Sequence, residues 1–266
     1  MTKNSFFARI QDRLARTSGS TQSRRWRTRR RRIFESLENR RVLATIVVTS
    51  LADEVADDGQ VTLREAIAAA NNDTTVDGSV AGSGADTITF DPALTADGPA
   101  AIELSIVGDR SAGRSGLLIS SEITIVGGGV TITRDTSAAE DLRLFRIDST
   151  GNLTLQQLTL SGGVARGGDG GDGNSVAGGG AAGLGGAIFN QGTLALQNST
   201  LSGNLAQGGD GGTIDSSAIA NAGGGGLDQS GQIDGSGGGP NGGAGGFEDG
   251  VFGGGGGGDG LSLIHI

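Results

Sequence analysis

The sequence predicts an all-β chain built as a parallel β-helix, and three observations carry that prediction. Short runs alternate apolar and polar residues and are separated by Gly, Asp and Ser, the pattern of strands with one buried face. Aromatic residues make up 3% of the chain while Gly accounts for 53 of 266 positions, so thin aliphatic layers, not a ring-filled centre, have to be buried. A segment also recurs: GNLTLQQLTLSG at 151–162 returns as GTLALQNSTLSG at 192–203, and GGDGG at 167–171 returns at 208–212, both 41 residues later. A sustained period marks a stacked array. This one equals about two β-helix coils, or one coil with a Gly-rich excursion. Burying Leu153, Leu155, Leu158 and Leu160 in a single repeat does not offset the entropy of ordering its backbone. Stability must therefore belong to the stack.

From the N-terminus, charge divides the chain. Residues 1–44 hold 13 of the 20 basic residues against only Asp12, Glu35 and Glu38, which leaves 7 basic and 26 acidic residues in the remainder. An acidic body excludes nucleic acid as the partner of the folded part. No run reaches the roughly 18 apolar residues of a membrane span. The absence of Cys excludes disulfide staples and thiol chemistry.

The basic run RRWRTRRRR at 24–32 repels itself, which predicts a disordered leader over 1–44. Taken alone it reads as a solvated tail, as a nuclear or nucleic-acid-binding patch, which nothing downstream supports, or as an export segment. IFESLENRRVLA at 33–44 follows, and together they resemble the N-terminal motif of planctomycete surface proteins, an Arg-rich run ahead of F-E-x-L-E-x-R-x-L. Phe34, Glu35, Leu37, Glu38, Arg40, Arg41 and Leu43 carry the match, and Ala44 offers a small residue for cleavage. Asn39 stands where that family usually has Pro. The resemblance implies a secreted or cell-surface protein of the outer envelope. By ordinary signal-peptide rules the apolar stretch Val42–Val48 is short and interrupted by Thr45.

Residues 45–85 read as an N-terminal cap. Thr45–Ser50 is rich in β-branched residues and predicts a strand, and Asp57-Asp58-Gly59 predicts a turn. Thr62 and Glu65 fit the S/T-x-x-E capping box, which satisfies two orphan N–H groups at a helix start. The helix Leu63–Ala70 puts Leu63, Ile67 and Ala70 on one face and ends at Asn71-Asn72. Arg64 and Glu65 are sequence neighbours and point to different faces. Glu65 is therefore the cap partner, and Arg64 sits in solvent or in a salt bridge. VTLREAIAAANN at 61–72 resembles the domain named for its C-S-L-R-E-A signature, with Val61 and Thr62 replacing Cys and Ser. That resemblance implies the N-terminal cap of a β-helical surface protein, where a helix closes an edge that would otherwise invite aggregation.

The body, 86–222, contains the runs Thr87–Phe90, Ile102–Val107, Ile123–Val126, Val130–Thr133 and Leu144–Ile147, with no helix-length pattern between them. GGAAGLGGAIFN at 179–190, followed by Leu194–Asn204, resembles the G-G-A-I-x-N units of polymorphic outer-membrane and autotransporter-like proteins. That implies a right-handed parallel β-helix, a pectin-lyase-like solenoid, without implying lyase activity.

Few residues point to chemistry. GGDGGD at 167–172 meets the first six positions of the calcium nonapeptide G-G-x-G-x-D-x-U-x, which makes Asp169 and Asp172 the candidate Ca²⁺ ligands. Asn174 occupies the position that should be apolar, so a polar Gly-rich loop is the reading adopted and no cofactor is expected. After Ala44 there is no Lys. Arg134, Arg143 and Arg146 alternate with Asp135, Asp141 and Asp148 near strand ends, an arrangement read as solvated. No catalytic residue is assigned. The expected function is a non-catalytic structural or adhesive surface protein, with extracellular glycans or other cell-surface components as partners. The alternative is a carbohydrate-active β-helix enzyme, a polysaccharide lyase or hydrolase, missing its C-terminal coils. Residues 223–260 lack a P-loop pattern and read as flexible low-complexity chain, since 40 of the 53 Gly lie after residue 160. LSLIHI at 261–266 matches a translated sequencing adapter, so it is read as non-native and His265 as without function.

Overall fold

The computed structural model describes residues 43–174, 176–214, 223–232 and 237–238, and the backbone of 264–265. All belong to the compact unit Arg41–Ile266. The export-motif residues Phe34, Glu35, Leu37, Glu38, Arg40 and Arg41 lie outside the described residues.

The chain is mostly β, in parallel sheets, with one α-helix. Strand β1 (Thr45–Val48) precedes α1 (Leu63–Asn72), followed by β2 (Ala85–Phe90), a 3₁₀ turn at Pro92–Thr95, β3 (Ala101–Leu104) and β4 (Ser115–Ile119). Next come β5 (Glu122–Val126), β6 (Thr131–Arg134) and β7 (Arg143–Ile147), then β8 (Asn152–Gln156), β9 (Thr159–Ser161), β10 (Val164–Arg166) and β11 (Ile188–Asn190). β12 (Thr193–Gln197), β13 (Thr200–Ser202), β14 (Leu205–Gln207) and β15 (Ile264–His265) complete the described strands.

Hydrogen bonding sorts them into a first sheet ordered β1-β2-β5-β8-β12, a second ordered β3-β6-β9-β13, a third ordered β4-β7-β11-β15, and a pair β10-β14. The chain enters the first three sheets in rotation, and the β10-β14 pair is inserted between the second and third in the last two rounds. Pairing is parallel throughout, except that β15 lies antiparallel on β11. The repeat is in register: Leu153 lies beside Leu194, Leu160 beside Leu201 and Val164 beside Leu205. The period is therefore one visit to each sheet plus a Gly-rich segment between β10 and β11.

Apolar residues stack in columns between the sheets. Ile46, Ile88, Ile125, Leu155 and Leu196 form one such column. Its first four members are fully buried, whereas Leu196 at the end strand is 38% exposed.

Three expectations need adjustment. The run Ile102–Val107 stops being a strand at Leu104, because the Asp53 carboxylate accepts the N–H groups of Ser105 and Ile106 at 2.8 and 2.9 Å. Strand β4 carries apolar side chains at Leu117, Leu118 and Ile119 in succession, so alternation does not reveal it. The helix extends to Asn72 and ends at Asp73, whose φ of 51° places it in the left-handed region.

Candidate functional site

The first candidate region is the helix against the third sheet. The capping box forms as expected: Thr62 Oγ1 accepts the Glu65 N–H at 3.2 Å, and Glu65 Oε2 accepts the Thr62 N–H at 2.9 Å. Glu65 is buried, and its other oxygen accepts the Ala56 N–H at 2.8 Å. Strand β4 ends the third sheet, and α1 side chains stand in for its missing neighbour. Arg64 Nη1 donates to the Gly116 carbonyl at 2.7 Å, Asn71 Nδ2 donates to the Leu118 carbonyl at 2.8 Å, and Asn71 Oδ1 accepts the Ser120 N–H at 2.9 Å. Arg64 is fixed by an ion pair with Asp53 at 2.7 Å. These contacts satisfy edge groups that would otherwise pair with another chain. Ala44 is buried at the start of β1, where its carbonyl accepts the Thr87 N–H at 2.8 Å, and Leu43 is 63% exposed.

The second region is a charged cluster around β7. The expectation of solvated alternating charges fails for Arg143, which is 1% exposed because β7 lies between β4 and β11. Its guanidinium sits 4.7 Å from the Phe189 ring centroid, and Nη1 donates to the Ala112 carbonyl at 2.7 Å, while Nε has no hydrogen-bond partner. Burial lowers its pKa to about 10, with Asp228 opposing the shift, so it remains protonated at neutral pH. Arg146 contacts Ser111 and pairs with Asp109 at 3.1 Å; Gln191 accepts from it at 3.0 Å. Arg134 and Arg166 share Asp141 at 3.3 and 3.1 Å, and Arg114 pairs with Asp228 at 3.0 Å and Glu140 at 3.2 Å. Asp135 is used locally, accepting from the Ser137 N–H at 2.7 Å. The cleft between Arg114, Asp141, Arg143, Arg166 and Asp228 has space for little more than a single water molecule. The cluster neutralises charge within a packed sheet.

The third region is Gly-rich, and it departs most from expectation. The N–H groups of Gly167, Gly170 and Gly173 donate to the carbonyls of Gln207, Asp210 and Thr213 at 2.8, 2.7 and 3.1 Å. Gly168 and Gly171 donate instead to Gly226 and Gly223 at 2.7 and 2.9 Å. Every third residue thus faces the same neighbour, the periodicity of a polyproline II chain, which has no internal hydrogen bonds and must find them laterally. The segments 167–173, 178–181, 208–213 and 223–231 form one such hydrogen-bonded layer. A methyl group at Gly168, Gly170, Gly209 or Gly212 would overlap the carbonyl oxygen of Gln229, Gly178, Gly168 or Gly171 respectively.

The candidate Ca²⁺ ligands occupy the remaining position of this period. Asp169 Oδ1 accepts the Asp210 N–H at 2.8 Å, and Asp172 Oδ1 accepts the Thr213 N–H at 2.6 Å and its hydroxyl at 2.7 Å. In the first copy, 167–172, the G-G-D spacing therefore has a packing explanation: two faces of the chain admit only glycine, and the third carries a carboxylate that binds the next repeat. Among the described residues, no three His, Cys, Asp or Glu side chains gather as a metal site. No described helix is long and apolar enough to cross a membrane. Sequence reasoning missed Asp53, Asn71 and the burial of Arg143; only the three-residue Gly period carried a signal that pattern reading overlooked. Comparison of the chain with protein-family models, with curated proteins and with solved structures returned no match.

Proposed function

We propose that this chain is an exported, non-catalytic surface protein whose body is a right-handed parallel β-helix serving as a stalk or adhesive scaffold. The rotation of the strands through three sheets, with apolar residues stacked in register from one round to the next, is the observation that carries this reading. A right hand follows from the rule that about 98% of parallel strand-to-strand crossovers take it. The Arg-rich leader, the capping helix and the Gly-rich repeats fit a planctomycete-type surface protein of this architecture, with the helix as its CSLREA-type N-terminal cap. Extracellular glycans or other surface components are the partners such a scaffold would meet.

Expressing the full chain with an epitope tag in a planctomycete host tests the proposal. Fractionation and protease treatment of intact cells are expected to place the protein on the surface or in the medium, and deletion of 1–44 to retain it in the cytoplasm. A full-length protein that stays cytoplasmic overturns export. Cleavage of uronate or neutral glycans by the purified protein overturns the non-catalytic reading.

A further inference from the structure

The outward face of the second sheet carries an ordered array of hydroxyl groups. Thr131, Thr159 and Thr200 lie side by side in register, and Thr133, Ser161 and Ser202 form a second row two residues further along the same strands. Parallel pairing sets the rows' members ~4.8 Å apart across the strands, and strand geometry sets the two rows ~6.7 Å apart. The buried Ile132 and Leu160 beneath them fix the strands from the other side. None of the six hydroxyls has a hydrogen-bond partner among the described residues, although other hydroxyls, such as those of Ser121 and Thr213, do. The array is bounded on β3 by Ala101 and Glu103. The first sheet also has an outward Thr column, Thr45, Thr87, Thr124 and Thr154, but its second row, Val47, Thr89, Val126 and Gln156, holds a single hydroxyl. Among the described residues, the second sheet alone fills both rows with hydroxyls across three adjacent strands.

A partner for this face must be uncharged and must present hydrogen-bonding groups at two fixed repeats. The six positions offer no aromatic platform on which a sugar ring would stack and no charge for a polyion. Water in a crystal lattice meets both requirements, and the two repeats lie close to those of the oxygen rows on the prism face of ice. The four Thr side chains of the array also lose little entropy on contact, since a β-branched side chain is already restricted. We propose that the hydroxyl face formed by β6, β9 and β13 binds ice. This inference does not depend on the surface-scaffold reading.

The test is ice-affinity partition of the fluorescently labelled full chain, with Thr159→Tyr placed at the middle of the array and Thr124→Tyr on the first sheet as its counterpart. Both side chains point outward, and unchanged far-ultraviolet spectra and melting will show that both variants fold. The parent protein and Thr124→Tyr are expected to enter growing ice, and Thr159→Tyr to fall to the level of an inert control protein. Exclusion of the parent protein from ice overturns the proposal, as does equal partition of parent and Thr159→Tyr. Retention on insoluble neutral polysaccharide that is lost in Thr159→Tyr, without partition into ice, assigns the face to a glycan instead.

Discussion

The strand stack and the glycine layer share one repeat and reach close packing by opposite means. In the stack, side chains fill the space between backbones: Leu155 is covered on one side by Ile125 and on the other by Leu196. In the layer, side chains are removed so that backbones touch: Gly168 donates to the Gly226 carbonyl at 2.7 Å and accepts the Ala181 N–H at 2.9 Å, with the Gln229 carbonyl where a Cβ would stand. The first arrangement gains from apolar burial. The second buries almost no side chain, and each hydrogen bond contributes only about 0.5–1.5 kcal/mol net while glycine loses the most backbone freedom on ordering. The layer therefore depends on the stack to bring its segments into register, and the reverse does not hold.

The largest effect should come from breaking a column inside the stack. Leu155→Ala removes a fully buried side chain and is expected to lower stability by about 2–5 kcal/mol in urea unfolding. Leu196→Ala deletes the equivalent side chain of the next repeat, already 38% exposed, and should cost under about 1 kcal/mol. Equal losses would show that the end strand is covered as fully as the interior.

The layer should discriminate between its own glycines. Gly209→Ala and Gly212→Ala place a methyl against backbone oxygen and are expected to cost about 1–3 kcal/mol, with amide exchange accelerated in 167–181 before the strands. At Gly208 and Gly211 the nearest atoms to an added methyl are 3.4 and 3.9 Å away. Alanine there should be neutral or should stabilise by up to about 1 kcal/mol, because it restricts the unfolded chain. Tolerance that ignores this three-residue phase would break the proposed packing. A smaller loss, about 0.5–2 kcal/mol, is expected for Thr62→Ala at the helix start, read by thermal melting.

How much of this was legible in the sequence follows from range. Alternation exposed β2, β5 and β6, and the capping box exposed Thr62 and Glu65, because both signals lie within a few residues. The repeat at 151 and 192 announced that two segments would stack, since identical patterning makes identical surfaces. Asp53 ending β3, Asn71 satisfying β4, and Arg143 buried beneath Phe189 all depend on partners tens of residues away, which no local pattern encodes. The glycine layer is an intermediate case. Its G-G-D period was present in plain text, but a three-residue period belongs neither to helix nor to strand, so it read as loop.

The finest test of the contrast lies on the layer's one polar face. The Thr213 N–H and hydroxyl both donate to the Asp172 carboxylate, and these bonds hold its pKa below the ordinary value of 3.8. A depressed folded-state value means that the contact contributes above the unfolded value and is lost as pH falls through the folded one, that is, below 3.8. Asp172 lies at the surface, so global stability should barely respond. The readout is instead carboxyl ¹³C titration by NMR, where Asp172 should show a midpoint below that of a free Asp and the Thr213 amide shift should follow the same curve. Thr213→Val removes the hydroxyl but keeps the N–H, so the midpoint should return only part of the way. A midpoint that is normal in the parent protein would mean that Asp172 does not join the two repeats, and one unmoved by the substitution would mean that the Thr213 N–H alone holds the carboxylate.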